Sequence, residues 1–295
     1  SALPGSVAQG LIWGILAIGV YITYKVLDFA DLTVDGSLAT GGAVAVMCML
    51  NGANTYVALI LAFLAGMLAG LVTGLFHTAL GIPPILAGIL TQLGLYSINM
   101  RIMGKANQAI SVMQYDVLVS LRYIPHACLL TTGFCIVIIA LLYWFFGTEI
   151  GASVRATGCN PSMSRAQGIN TDFCKVLGLM ISNGLVALSS ALLAQYQGFA
   201  DVNMGRGAIV IGLAAVIIGE AIFSRIFRNF ALRLLAVAFG SILYYLVLQT
   251  VIWMGIDTDL LKMLSALVVA VFLAVPYWKG KYFAKPAKRG GKNNA

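Results

Sequence analysis

The chain has 295 residues, 60% of them hydrophobic and 9% charged, with a mean hydropathy of +0.94. Soluble globular domains carry about 25% charged residues, so these values exclude that class and predict an all-α, polytopic helical membrane protein. The net charge of +8 is concentrated in a basic tail, Lys279, Lys281, Lys285, Lys288, Arg289 and Lys292. Such a cluster after an apolar run marks the cytoplasmic side and contacts membrane lipid, so no nucleic-acid partner is expected.

In chain order the apolar segments are 7–26, 37–50, 55–80, 84–100, 127–147, 176–197, 207–223, 230–253 and 260–278. A full crossing takes ~20 residues. Segments 37–50, 84–100 and 207–223 are therefore short, and each is expected to be a half-helix or a re-entrant piece covered by protein. The expected total is about eight to ten transmembrane or re-entrant helices. Val7 to Tyr24 lacks a basic leader and a cleavage site, so it reads as a retained helix. The 32 glycines suit close helix packing in a membrane. The five Cys (48, 128, 135, 159, 174) show no metal-type or CxxC spacing.

One polar stretch interrupts this pattern, Thr148 to Lys175, TEIGASVRATGCNPSMSRAQGINTDFCK. Asn160 before Pro161 reads as a helix N-cap with Pro at the first helical position, and Gly168 as the stop. The helix between them is only about two turns long and cannot persist alone in water. It must dock on something. With this stretch and the basic tail inside, 13 of the 18 Lys/Arg lie inside, and Arg101, Lys105, Arg122, Arg206 and Lys262 lie outside. The N-terminus then falls outside.

The stretch also divides a weak internal repeat. Phe29-Ala30-Asp31 recurs as Phe199-Ala200-Asp201, and at the same offset Gly14, Gly42, Ala45 and Val46 match Gly184, Gly212, Ala215 and Val216. Further on, Gly66, Gly81-Ile82 and Leu86 match Gly240, Gly255-Ile256 and Leu260. The copies start on opposite sides of the membrane, as in transporters built from inverted repeats. The expected division is a first repeat over 1–147, a cytoplasmic loop over 148–175, a second repeat over 176–278 and the tail over 279–295.

No catalytic constellation is visible, so the chain is not read as an enzyme. His77 and His126 have no paired acid or nucleophile nearby in sequence and read as structural. No GxxxxGK[ST] phosphate loop occurs, so no ATP cofactor is expected on this chain. Glu220, with Arg225 and Arg228 beyond it, reads as a local ion pair near the inner boundary. Asp35 before Gly36-Ser37 reads as a helix N-cap, and Asn203 and Arg206 sit at the matching helix start of the second repeat. For a translocation pathway the candidates are uncharged polar groups on short helices: Thr91, Gln92, Asn99, Asn183 and Asn203. The same groups equally stitch helices together.

The stretch Arg155-Ala156-Thr157-Gly158-Cys159-Asn160-Pro161, followed by Ser164-Arg165-Ala166-Gln167-Gly168-Ile169-Asn170, resembles the RATG-x-NP…ARALGI loop of ABC-importer permeases for branched-chain amino acids, ribose and nucleosides. LTVDGSLATGGA, Gly81-Ile82-Pro83-Pro84 and YQGFADVNMGRGAIVIGLAAVIIGE extend the likeness over nearly the whole chain. Within the family, LYSINMRIMGKAN and LLAQYQGFADVNMG look most like the subgroup of tryptophan/tyrosine-type and unassigned-substrate permeases. Cys159 departs from the family, which has a polar or acidic residue there.

The resemblance implies a bacterial inner-membrane, multi-pass permease with a cytoplasmic C-terminus. Its partners would be a second permease copy, a cytoplasmic ABC ATPase dimer carrying ATP-Mg, and an extracytoplasmic substrate-binding protein. Carried over position by position, ATPase coupling falls to Arg155, Gly158, Asn160, Pro161, Arg165 and Gly168. The expected cargo is a small polar solute, an aromatic or branched-chain amino acid, with a sugar or nucleoside as the alternative within the family. The alternative outside it is an ion-coupled secondary transporter, and a channel comes third.

Overall fold

The structure, a computed structural model, describes residues 2–111, 113–223, 226, 228–255 and 260–282. Its helices in chain order are α1 (Ala2–Tyr21), α2 (Thr33–Leu50), α3 (Thr55–Thr78), α4 (Pro84–Met103), α5 (Ile124–Gly147), α6 (Glu149–Cys159), α7 (Pro161–Ala166), α8 (Thr171–Gln197), α9 (Ala208–Phe223), α10 (Phe230–Trp253) and α11 (Leu261–Tyr282). A π-helical turn over Ile22–Val26 continues α1. Two three-residue strands, β1 (Asn107–Ala109) and β2 (Phe199–Asp201), pair antiparallel with Gln108 opposite Ala200.

Seven helices among the described residues are long and apolar enough to cross a membrane: α1 with its π turn, α2, α3, α4, α5, α8 and α10. α9 and part of α11 form shorter apolar helices, which gives nine and agrees with the expected eight to ten. Segment 84–100 is not short, because its helix runs to Met103 and has 20 residues. Pro83-Pro84 starts it, with Pro84 at the first helical position.

α1 and α8 form the central antiparallel pair, and both are mostly buried. Three hydroxyls of α8 donate to α1 carbonyls along its length: Tyr196 to Gly5 (3.1 Å), Ser189 to Ile12 (2.7 Å) and Ser182 to Gly19 (2.7 Å). The last two are related by the repeat. Residues 12 and 19 each lie 170 positions before 182 and 189, the offset that also relates the two Phe-Ala-Asp triplets. Exchanging the helices therefore exchanges the bonds. The wider packing follows suit: α3 lies on α8 as α10 lies on α1, α2 on α3 as α9 on α10, and α2 on α4 as α9 on α11. On α3, Gly66 and Gly70 let the backbone of α8 approach so closely that an added Cβ would meet the carbonyls of Asn183 and Leu179.

α2 and α9 are the two helices that start inside the protein. Ser37 of α2 meets Asn183, near the middle of the 27-residue α8, and Gly207 at the entry to α9 meets Asp35. From there α2 runs to the face carrying β1 and β2, where Val46 and Met49 pack with Ile110, Ala200 and Val202. α9 runs the other way, to the face carrying α6 and α7, where Glu220 meets Lys25 at the end of α1. α2 and α9 thus point in opposite directions. Of the two only α9, with 16 residues, is short; α2 starts at Thr33 and its 18 residues are long enough to cross, so segment 37–50 is not a half-helix. An irregular start at this depth is tolerated because surrounding helices cover the exposed backbone.

Candidate functional site

Two places concentrate the polar groups: the 148–175 stretch on one face, and a cavity beside the α2–α9 meeting point. The stretch holds more helix than expected. Thr148 caps α6 by accepting from the Gly151 amide (3.3 Å), and Asn170 caps α8 by accepting from Asp172 and Phe173. Between them Asn160 caps α7 through the Met163 amide (3.0 Å), with Pro161 at the first helical position. Gly168 ends it with φ +83°, a conformation that an L side chain resists. The expected cap, start and stop are where the residues put them.

Six residues make α7, and Ser164 alone among them is buried, bonded to the Asn160 carbonyl at 2.9 Å. Ser162, Met163, Arg165 and Ala166 face outward, with Gln167 and Gly168 exposed beyond them. The other carried-over residues seat this helix. Gly158 lies so close to the Val26 carbonyl that any Cβ would collide with it, and it thereby fixes α6 against the π turn. Arg165 Nε donates to Thr171 Oγ1 (3.0 Å) and ties α7 to α8. Arg155 points away from α7, its guanidinium 5.8 Å from the Phe230 ring centroid.

The cavity, about 390 Å³, is lined by Asp35, Gln92, Tyr96, Asn99, Asn203 and Arg206, with Gly36, Ala39, Leu93 and Val202 as its apolar wall. Three of the five pathway candidates, Gln92, Asn99 and Asn203, are brought together here from α4 and the α8–α9 connection. Asn99 is fully buried, and neither its Oδ1 nor its Nδ2 has a hydrogen-bond partner among the described residues. A buried amide left unpaired costs about 1–3 kcal/mol, a cost that no hydrogen bond of Asn99 among the described residues offsets.

Thr91 and Asn183 do not join the cavity. Thr91 receives a hydrogen bond from Thr73 (2.9 Å), which is 2.7 Å from Thr33, so three hydroxyls stitch α2, α3 and α4. Asn183 donates to Asp31 Oδ2 (2.7 Å) and to the Leu179 carbonyl (3.0 Å), and accepts from Ser37 (2.6 Å). Both are satisfied within the protein and belong to its packing.

Other expectations need correction. Asp35 does not cap its own helix, which starts two residues earlier. Its carboxylate accepts from the amides of Gly207 (3.1 Å) and Ile209 (3.0 Å), so it caps α9 from across the repeat. Asp35 and Gly205 are equivalent under the offset of 170, and they touch: a Cβ on Gly205 would fall on the Asp35 carbonyl. That pairing was the available signal. Glu220 pairs with Lys25 at 3.0 Å, while Arg225, its expected partner, lies outside the described residues. The basic tail from 283 onward also lies outside them. His77 is structural, with Nδ1 2.8 Å from the Ile82 carbonyl, Nε2 3.2 Å from Lys175 Nζ and the ring edge-on to Phe29.

Residues 3–275 match the family model described as branched-chain amino acid transport system / permease component. The chain belongs to this family. A tyrosine transport system permease protein of Clostridioides difficile is 40% identical to this permease over 93% of the chain and 91% of its own length. A fructose import permease protein of Bifidobacterium longum is 25% identical, covering 82% of the chain and 68% of its own length. Among solved structures, PsaBC from Streptococcus pneumoniae in complex with Fab contains a chain that shares the fold, with TM-score 0.51 and 16% identity over 96% of this chain and 92% of that one. The permease is thus a multi-pass membrane protein of an ABC importer family.

Proposed function

We propose that this permease carries an amino acid inward, an aromatic one before a branched-chain one, driven by ATP hydrolysis on a separate subunit. The observation that carries the reading is the 148–175 stretch. It presents a capped two-turn helix that the rest of the chain holds by its ends and leaves open on its outer side. A cytoplasmic ABC ATPase dimer, with ATP-Mg, would take that outer side in a groove. A rigid push on α7 would pass through the Arg165–Thr171 bond to α8 and through the Gly158 contact to α1, the two central helices. In this reading the halves 1–147 and 176–278 are inverted repeats that rock against each other, around the point where α2 and α9 begin.

The same reading places the 148–175 face and the C-terminal tail in the cytoplasm of a bacterial inner membrane. It places the strand-bearing face toward an extracytoplasmic binding protein. A second copy would complete the pathway along α4, whose Leu93 and Ile98 are exposed. The cavity supports an amino acid over a sugar. Arg206 and Asp35 offer one charge of each sign and Asn99 an unpaired amide, which suits a zwitterion, and the tyrosine permease is the more similar relative. An ion-coupled transporter would instead need no second protein.

Reconstitution decides between them. In vesicles with the ATPase and binding protein, labelled tyrosine should accumulate only with ATP, and fructose should not. Uphill uptake by the permease alone under an ion gradient would overturn the reading. Deleting Pro161–Gly168 should leave a folded membrane protein in which ATP hydrolysis no longer drives uptake.

A further inference from the structure

A second cleft lies apart from the cavity beside α2 and α9 and shares Thr148 and Arg155 with the 148–175 stretch. It opens between the end of α5, the start of α6 and the start of α10, with a volume of about 720 Å³. Three arginines line it, Arg155, Arg228 and Arg233, together with Thr148 and Asn229. No Asp or Glu among the described residues lines it. Of the nearby carboxylates, Glu220 is held by Lys25 at 3.0 Å, and Glu149 follows the lining residue Thr148 in the first turn of α6 without lining the cleft. All three arginines are exposed, although Arg155 also rests over Phe230 and Arg233 is hydrogen-bonded to Tyr21. Three guanidinium groups around one opening repel one another unless an anion sits among them.

The surroundings specify which anion. The cleft lies where two apolar helices end, the depth at which phospholipid headgroups sit. Trp144 and Tyr143 on its rim are 70% and 52% exposed, as aromatic residues are at the membrane boundary. Directly below it, Val137, Leu141 and Trp144 follow one another on a single face of α5 and are all exposed. A basic cleft running into an apolar stripe on the same helix fits a headgroup phosphate with its acyl chain beneath.

We infer that this cleft binds an anionic phospholipid, the phosphate on Arg228 and Arg233 with Arg155 behind them and an acyl chain along α5. Occupancy would bear on the coupling face directly. α6, whose cap residue Thr148 and whose Arg155 line the cleft, leads through Gly158 to the exposed helix α7. Anionic lipid then acts as a regulator of the permease, holding α6 against α10.

The test uses the full chain in non-ionic detergent, stripped of lipid, with phosphatidylglycerol, phosphatidylcholine and inorganic phosphate as separate probes. Phosphatidylglycerol should raise Tm and remain bound in native mass spectrometry, while the other two do neither. Arg228→Gln should weaken its retention about fivefold, and Arg228→Gln with Arg233→Gln roughly 30-fold. Arg228→Lys should retain most of the binding, which separates lost charge from lost folding. Equal responses to phosphatidylglycerol and phosphatidylcholine would overturn the proposal. So would an equal response to inorganic phosphate, or unchanged lipid retention in the double variant. If that variant keeps its lipid but loses the ATPase on co-purification, the cleft is a protein-docking surface instead.

Discussion

The two Phe-Ala-Asp junctions share a sequence and a local structure but have opposite fates. At the first, Asp31 Oδ1 accepts from the Thr33 amide (2.9 Å); at the second, Asp201 Oδ1 accepts from the Asn203 amide (2.6 Å), the same turn 170 residues on. Asp31 is buried, and its second oxygen is taken by Asn183. Asp201 is half-buried at the opposite face, and the residues after it, Asn203 and Arg206, open onto the cavity. One copy of the turn is sealed into the helix packing and the other lines a space with an unpaired amide. Inverted copies thus need not share a function: the partner across the repeat decides whether a polar turn is consumed or left available.

The largest expected effect comes from breaking the seal. Asp31→Leu leaves one N–H of Asn183, whose other bond goes to the Leu179 carbonyl, and the Thr33 amide without a buried acceptor. It should lower stability by about 2–4 kcal/mol, read as a fall in Tm or lost expression. Asp201→Ala, its equivalent, should cost less than about 1 kcal/mol. Equal losses would show that the junctions do not differ in the way described. Next comes Gly158→Val, whose side chain has nowhere to go against Val26. It should detach α6 and abolish coupled uptake while the separately measured ATPase stays active.

Asn99→Leu sharpens the other side of the comparison, because stability and transport should move in opposite directions. Removing the unpaired amide should leave Tm unchanged or raise it by up to about 1 kcal/mol in stability, while uptake falls roughly tenfold. A drop in both would assign Asn99 to packing. The smallest effect belongs to Lys25→Gln. Its pair with Glu220 is more than a third exposed on both sides, so thermal stability should shift within about 0.5 kcal/mol.

Much of this was legible in the chain. The capped helix at Asn160-Pro161, its stop at Gly168 and the short helix near 207–223 follow from local rules. Caps and turns are chosen by the few residues that form them. Helix α6 was missed because Gly151 and Gly158 weaken its local preference, and packing against α5 and α8 outweighs that. The swap of Asp35 from its own helix to α9 had a signal only in the repeat. The fates of Thr91 and Asn183 had none, since a polar side chain on an apolar helix looks alike whether it meets a neighbour or a cavity.

The sequence by itself determined the class, the helix starts and stops, the family and the offset between the two halves. Periodicity, capping and composition act over a few residues and do not wait for the fold. Tertiary structure decided which polar groups are spent. The exchange of the Ser182–Gly19 and Ser189–Ile12 bonds, the locking of Asp31 by Asn183 and the isolation of Asn99 each join residues that only folding brings together. Inside a membrane no water makes up for an unmet hydrogen bond, so these pairings separate scaffold from site.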